Sequence, residues 1–404
     1  MDVDGASPGI YATPFRATGR VSLPALVLGA HTGHHALVRV SGGLFLVSCL
    51  VGSGCSQDAS PSETSVAQAC KSTPARSVEP TDAILSYSME RDGGFAQFVA
   101  ASPEQSVLVT SDGGGGTTVW SPDGTHLAYS TQSVGFRVQE ASPGAVPIEI
   151  EGSFPEWSPD SSRLAFYFDG DVYVVNADGT GRTNLTNLPF FIDGLSAIAW
   201  SPDGQTILFD SNRDDTGNMF AMDPDGRNQR KVSQSDFPDS NPAWSSDGTQ
   251  ILADWSTPDG GGLAVMNADG SDQHMVVADP TVLGFSWSPD GCRIVFATAR
   301  DDNVEIYIAD ADGMNQTNLT NTEADEGFHP VFSPDGSRIA FDSSREGSSD
   351  IFVMDADGTN IVRWTSSDAR EFAPIWTPSG AHRTTDLLAE LFIVLPRCRP
   401  APRT

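Results

Sequence analysis

Seven histidines and 53 acidic side chains are the groups of this 404-residue chain that could ligate a metal or move protons. His31, His34 and His35 fall in an N-terminal leader and His382 in a C-terminal tail. His126, His274 and His329 occupy different points of a repeated unit, so they do not converge. Only His329 is placed to face a channel mouth, and one histidine does not make a metal site. Segments such as Asp223-Pro-Asp-Gly226 and Asp310-Ala-Asp-Gly313 look like calcium loops. A calcium loop, however, needs further carboxylates and a bidentate acid at fixed later positions, and here strand residues follow. A serine peptidase needs a nucleophile elbow carried on a hydrolase domain, and nothing after residue 380 is long enough to be one. These residues predict no catalytic site, no metal, no cofactor and no enzyme.

Charge and composition narrow the classes further. The formal net charge is −30, which argues against nucleic acid and against anionic membrane surfaces, both polyanions. Asp outnumbers Glu by 39 to 14, an excess that suits turns, where the short side chain bonds nearby backbone N–H groups. Five cysteines (49, 55, 70, 292 and 398) form no disulfide framework and no pair has zinc-ligand spacing.

The elements that position everything else begin after residue 81. Residues 1–55 are a leader whose apolar run, Val40 to Gly54, has the length of a secretory signal core. Leu46-Val47-Ser48-Cys49 resembles a lipobox, and Cys55 follows a fuller apolar run, so either Cys49 or Cys55 is the expected lipidated residue. Residues 56–81 are rich in Ser, Thr and Pro and read as a flexible tether. From Trp120 one phrase recurs, with first residues at Trp120, Trp157, Trp200, Trp244, Trp287, Phe332 and Trp376, as in Trp200-Ser-Pro-Asp-Gly204. The steps are 37, 43, 44, 43, 45 and 44 residues, a period that marks an array or propeller. Each unit reads as four short strands bounded by Pro, Asp and Gly, which is one antiparallel blade. Residues 84–111 supply three strands of a blade and Ala373-Pro-Ile-Trp376 supplies a spare first strand. Pairing the two predicts an all-β, seven-bladed propeller over 82–380, closed by its C-terminal strand, with six or eight blades as alternatives. Residues 381–404 are a tail of unknown structure.

Trp-Ser-Pro-Asp-Gly, the Ile-Ala-Phe strand and Asp-Ala-Asp-Gly resemble the repeats of the TolB propeller family over about residues 82–380. TolB resembles this chain in being exported, but carries six blades and an N-terminal α/β domain where this chain has a tether. The resemblance implies a periplasmic or cell-surface setting and contact with peptidoglycan-associated lipoproteins. Similar repeats also accompany prolyl-oligopeptidase-like peptidases and pectate-fragment lyases.

Two repeated turns share one rim, so the variable loops share the other. On that rim the hairpin tips carry charge pairs, Arg213 with Asp214, Arg300 with Asp301 and Arg345 with Glu346. An inter-blade loop there carries Phe190 and Phe191. These residues are the expected partner contacts. The expected function is a monomeric, lipid-anchored, non-enzymatic protein-binding platform of the bacterial envelope. The alternative is a carbohydrate or small-ligand receptor at the channel mouth, and a lyase-type or degenerate propeller enzyme comes third. The charge is +1 through Cys55 and +2 from Ala381, leaving −33 between them, which favours a partner with basic patches.

Overall fold

The computed structural model describes residues 35–40, 43–48, 84–91, 94–102, 105–131, 135–141, 145–187, 193–214, 217–233 and 239–378. The chain divides into two units, Met1–Thr64 and Ser65–Thr404. In the first, His35–Val40 and Gly43–Ser48 pair as an antiparallel hairpin. Cys49 and Cys55, the expected lipidation sites, lie outside the described residues, as do the tether and the tail. Among the described residues no helix is long and apolar enough to cross a membrane.

The second unit is a ring of seven four-stranded antiparallel blades. Blade 1 pairs Glu371–Trp376 with Leu85–Arg91, then Gly94–Ser102, then the first half of Gln105–Trp120. The C-terminal strand therefore completes the N-terminal blade, with Glu371 opposite Met89 and Trp376 opposite Leu85. Gln105–Trp120 runs on into blade 2, where its last residues pair with His126–Thr131. Phe136–Glu140 and Ile148–Ile150 complete that blade. Blades 3 to 7 begin with Ser153–Trp157, Asp193–Trp200, Asp239–Trp244, Val282–Trp287 and Val331–Phe332. Middle strands are covered on both faces by neighbouring blades. Ile207–Ser211 and Asn218–Met222 of blade 4, for example, are buried at every position. Fourth strands at the outer edge are short, only two residues in blades 3, 4, 6 and 7, which limits the unpaired edge offered to other chains. Cys292, in a blade 6 turn, is disulfide-bonded.

Each recurring turn is a closed hydrogen-bond net. Ser201 Oγ donates to Asp203 Oδ1 at 2.6 Å and accepts the Thr206 N–H at 2.9 Å. Asp203 Oδ1 also accepts the Gln205 N–H at 3.0 Å. Gly204 takes φ 67°, and in blade 3 Ser161 adopts the same left-handed turn at φ 61°. The same Ser-to-Asp bond recurs at Ser121, Ser158, Ser245, Ser288 and Ser333.

Blades are joined through the residue that opens each phrase. The indole N–H of Trp157 donates to Val119 O of the preceding blade, Trp244 to Ala199 O and Trp287 to Ala243 O, at 3.3, 3.4 and 3.1 Å. Trp376 donates to Val331 O at 3.2 Å, which closes the ring between blades 7 and 1. At blade 2 the contact is relayed. Trp120 donates to Ser86 Oγ at 3.0 Å and Ser86 donates to Ile375 O at 3.3 Å. Phe332 has no side-chain donor, and there Ser286 Oγ donates across to Pro330 O at 3.0 Å instead.

Trp376 is buried, so Trp376→Ala is expected to destabilise the chain by roughly 3–5 kcal/mol. Trp376→Phe, which removes chiefly the hydrogen bond, should cost about 1 kcal/mol. Denaturant unfolding measures both, and a Trp376→Phe variant as stable as the wild type would show that the indole N–H contributes nothing.

Candidate functional site

The Ser-Pro-Asp-Gly and Asp-x-Asp-Gly-type turns share one rim, and their carboxylates are occupied by their own turns. Asp178 Oδ1 accepts both the backbone N–H and the hydroxyl of Thr180, at 2.9 and 2.6 Å. Such bonds favour the ionised form. The hydroxyl bonds of Ser158 and Ser162 hold Asp160 down at about 2, and Asp203 is lowered chiefly by Ser201.

The opposite rim, where first strands begin, is different. Its inner edge keeps large apolar side chains in water: Phe154 is 40% exposed, Leu283 47% and Phe328 44%. They stand three or four residues ahead of Trp157, Trp287 and Phe332, at the mouth of the channel. His329, next to Phe328, and Asn241 are exposed by surface area, although desolvation lowers the His329 imidazole below its ordinary value. Gly284 lets the first strands of blades 6 and 7 approach, because a Cβ on it would come within 1.9 Å of Phe328 O. The first strands are also bulged. Phe154, Asn241 and Ala373, each followed by proline, take φ of 51°, 52° and 52°, and pairing shifts register beside them. Left-handed backbone at a non-glycine residue costs about 1 kcal/mol or more, and bulges re-aim side chains.

Behind the mouth lie buried acids. Desolvation raises Asp239 and Asp342 to about 6 and pushes Asp254 and Glu371 upward. Asp254 Oδ2 accepts from Asn241 Nδ2 at 2.6 Å. Asp239 Oδ2 accepts from Gln273 Nε2 at 3.2 Å. Buried Glu326 is paired with Arg345 at 2.9 Å, and buried Asp350 with Arg363 at 2.7 Å. No group of three His, Cys, Asp or Glu among the described residues could hold a metal. His126 instead meets Thr125 Oγ1 at 2.8 Å, and His274 meets Asp272 O at 2.7 Å.

The arginines of the hairpin tips fold back onto their own blades. Arg213 lies over Phe209 and Phe220, Arg300 over Phe296 and Tyr307, and Arg345 over Phe341 and Phe352, at 4.6–5.4 Å. Each thereby caps a cross-strand aromatic pair, an attraction of the cation–π kind. Asp214 pairs with Lys231 at 2.8 Å, Asp301 accepts the Tyr307 O–H, and Glu346 meets Arg363 at 3.3 Å. Phe190 and Phe191 lie outside the described residues. Phe154, Asn241, Leu283 and Phe328 escape the sequence reading, and counting back from the Trp or Phe of each phrase is the signal that finds them.

The TolB β-propeller domain profile matches residues 117–283 and 222–384. This chain belongs to the TolB β-propeller family. Among curated proteins, the TolB-type propeller is 34% identical over 107 residues to the uncharacterized peptidase YuxL of Bacillus subtilis, 22% of this chain and 16% of that one. It is 26% identical over 140 residues to the uncharacterized protein Atu1656 of Agrobacterium fabrum, 30% of this chain and 46% of the relative. The propeller thus spans less than half the length of either. Among solved structures, a puromycin hydrolase S511A mutant aligns with a TM-score of 0.57 at 12% identity, over 72% of this chain and 54% of that one. An oligogalacturonate lyase in complex with manganese aligns at 0.53 and 16%, over 70% and 85%. At these identities the likeness is one of fold.

Asp239, Asp254, Asp342 and Glu371 are shifted upward, the turn carboxylates downward, and Asp279, bonded to Thr281 and Thr298, is lowered as well. A carboxyl raised by folding costs stability while ionised, and that cost is relieved as pH falls through its folded value. The turn carboxylates stabilise above the ordinary carboxylate range, and their contribution is lost as pH falls toward about 2 for Asp160. Thermal stability should therefore peak near pH 4, falling a few degrees as pH rises to about 7 and falling again as pH drops toward 2. Asp342→Asn should flatten the alkaline limb. A wild-type melting temperature independent of pH between 5 and 8 would contradict the assignment.

Proposed function

We propose that this TolB-type propeller is a non-enzymatic protein-binding platform of the bacterial envelope. It is exported, acts as a monomer, and is tethered to the membrane through Cys49 or Cys55. The observation that carries the reading is the mouth, where Phe154, Leu283 and Phe328 stay exposed on partly strained strands. Exposed apolar groups rimmed by polar ones mark interaction sites. The charge of −33 between leader and tail selects a partner with basic patches and makes association salt-sensitive. Family membership supports an envelope protein such as a peptidoglycan-associated lipoprotein. Phe190, Phe191 and the tip residues Arg213, Asp214, Arg300, Asp301, Arg345 and Glu346 belong to the partner contacts of this proposal. His329 stands at the channel mouth.

In-cell crosslinking of the tagged full chain should enrich one dominant basic-patched envelope protein. Capture should fall at least about tenfold in Phe154→Ser/Leu283→Ser/Phe328→Ser, as expected for loss of apolar anchors, and should weaken as salt is raised. No enrichment, or enrichment unchanged in the triple variant, would overturn the reading.

A further inference from the structure

The boundary between blades 3 and 4 departs from the others. Trp200 is only 7% exposed, yet its Nε1–H has no hydrogen-bond partner. Every other tryptophan that opens a phrase donates that hydrogen to the blade before it. In those boundaries the acceptor is the residue just ahead of the preceding Trp or Phe, or a serine relay to it. By the same register the position that faces Trp200 is Glu156. The equivalent residues are Val119, Ala199, Ala243, Ser286, Val331 and Ile375, so Glu156 is the charged member of the set.

Glu156 lies opposite Ala165 in the sheet. Cross-strand neighbours share a face, and Ala165 packs with Tyr167, Ile198 and Trp200 in the core between blades 3 and 4. The carboxyl is thus directed to the same boundary as the unpaired indole. It is partly exposed by surface area yet enclosed by protein, and desolvation raises it to about 7. No group among the described residues donates to it. Two residues earlier, Phe154 is turned out by its left-handed backbone and sits edge-on to Tyr167, ring centroids 6.4 Å apart.

An indole N–H can only donate, and a carboxylate can only accept. A cation is opposed by the first and an anion by the second. A hydroxyl satisfies both, accepting from the indole while donating to the carboxylate, and an exposed aromatic ring beside it offers a surface to an apolar C–H face. We propose that Trp200 and Glu156 form a site for a hydroxyl of a neutral carbohydrate, with Phe154 as its stacking wall. The site shares Phe154 with the proposed docking face, whereas Trp200 and Glu156 take no part in that docking.

Saturation-transfer NMR on the full chain, with D-galactose and N-acetyl-D-glucosamine as probes, tests it. At least one probe should give saturable transfer in the millimolar range, weakened about tenfold or more by Trp200→Phe and by Glu156→Leu, the loss of one hydrogen-bond partner. Trp244→Phe, whose indole N–H is already donated to Ala199, should leave it unchanged. If Trp200→Phe lowers the melting temperature enough to compromise folding, Glu156→Leu alone decides. No saturable transfer up to about 50 mM of either sugar, or equal binding in Glu156→Leu, would overturn the proposal and leave a bridging water as the occupant.

Discussion

A propeller has no single core. It has as many cores as it has blade boundaries, and each boundary must be held at the inner edge, where strands from different blades come closest without forming a ladder. Here the indole of the repeated tryptophan does this work. Its ring fills the wedge between two sheets, and its N–H donates to a backbone carbonyl in the first strand of the neighbouring blade. An unpaired buried carbonyl is expensive, so one side chain answers both the packing and the polar demand. The exceptions follow the same logic. Ser86 extends the reach of Ile375, and Ser286 takes over where phenylalanine replaces tryptophan. The last of these contacts, Trp376 to Val331, makes the array a ring rather than a row.

The two rims divide the labour of the acidic side chains. On the turn rim, aspartate is a backbone cap whose charge is stabilised by hydroxyl and amide donors. Near the mouth, carboxyls lie where water is scarce, and pairing is uneven. Glu326 and Asp350 form ion pairs with arginines, whereas Asp342 Oδ1, Asp239 Oδ1 and Glu371 Oε2 are buried with no hydrogen-bond partner. A scaffold with that many uncompensated acids near one opening is strained there in charge, just as the bulged first strands strain it in backbone. Strain of both kinds collects where function is expected.

Blade number, strand order and ring closure were legible because the Trp-to-Trp period and the spare first strand at Ala373-Pro-Ile-Trp376 state them directly. The Asp-rich turns were legible for the same reason, since a Ser-x-Asp-Gly net is local. The mouth was not. Whether Phe154 packs inward or faces water depends on a left-handed bulge, and nothing in Phe154-Pro155 signals positive φ, because proline constrains its predecessor toward extended backbone. The hairpin arginines read as outward charges because a charge pair at a loop tip looks the same in sequence either way. Their direction is decided by the aromatic pairs one strand below, Phe209 with Phe220 and Phe341 with Phe352. The continuity of Gln105–Trp120 across two blades was likewise hidden, since its glycine run, Gly113 to Gly116, reads as a break.

The blade shared between the two ends of the chain also sets an order of events. Ser86 and Ile375, bonded in that blade, are 289 residues apart in sequence, whereas most strand pairs elsewhere come from adjacent hairpins. Local pairs form early, and distant ones must first meet the entropy of closing a long loop. Blades 3 to 7 can therefore assemble as they emerge, while Leu85–Arg91 presents an open edge until the final strand arrives. The pairing that completes the first blade is the last the chain can make, and until then the edge of Leu85–Arg91 stays open to other strands.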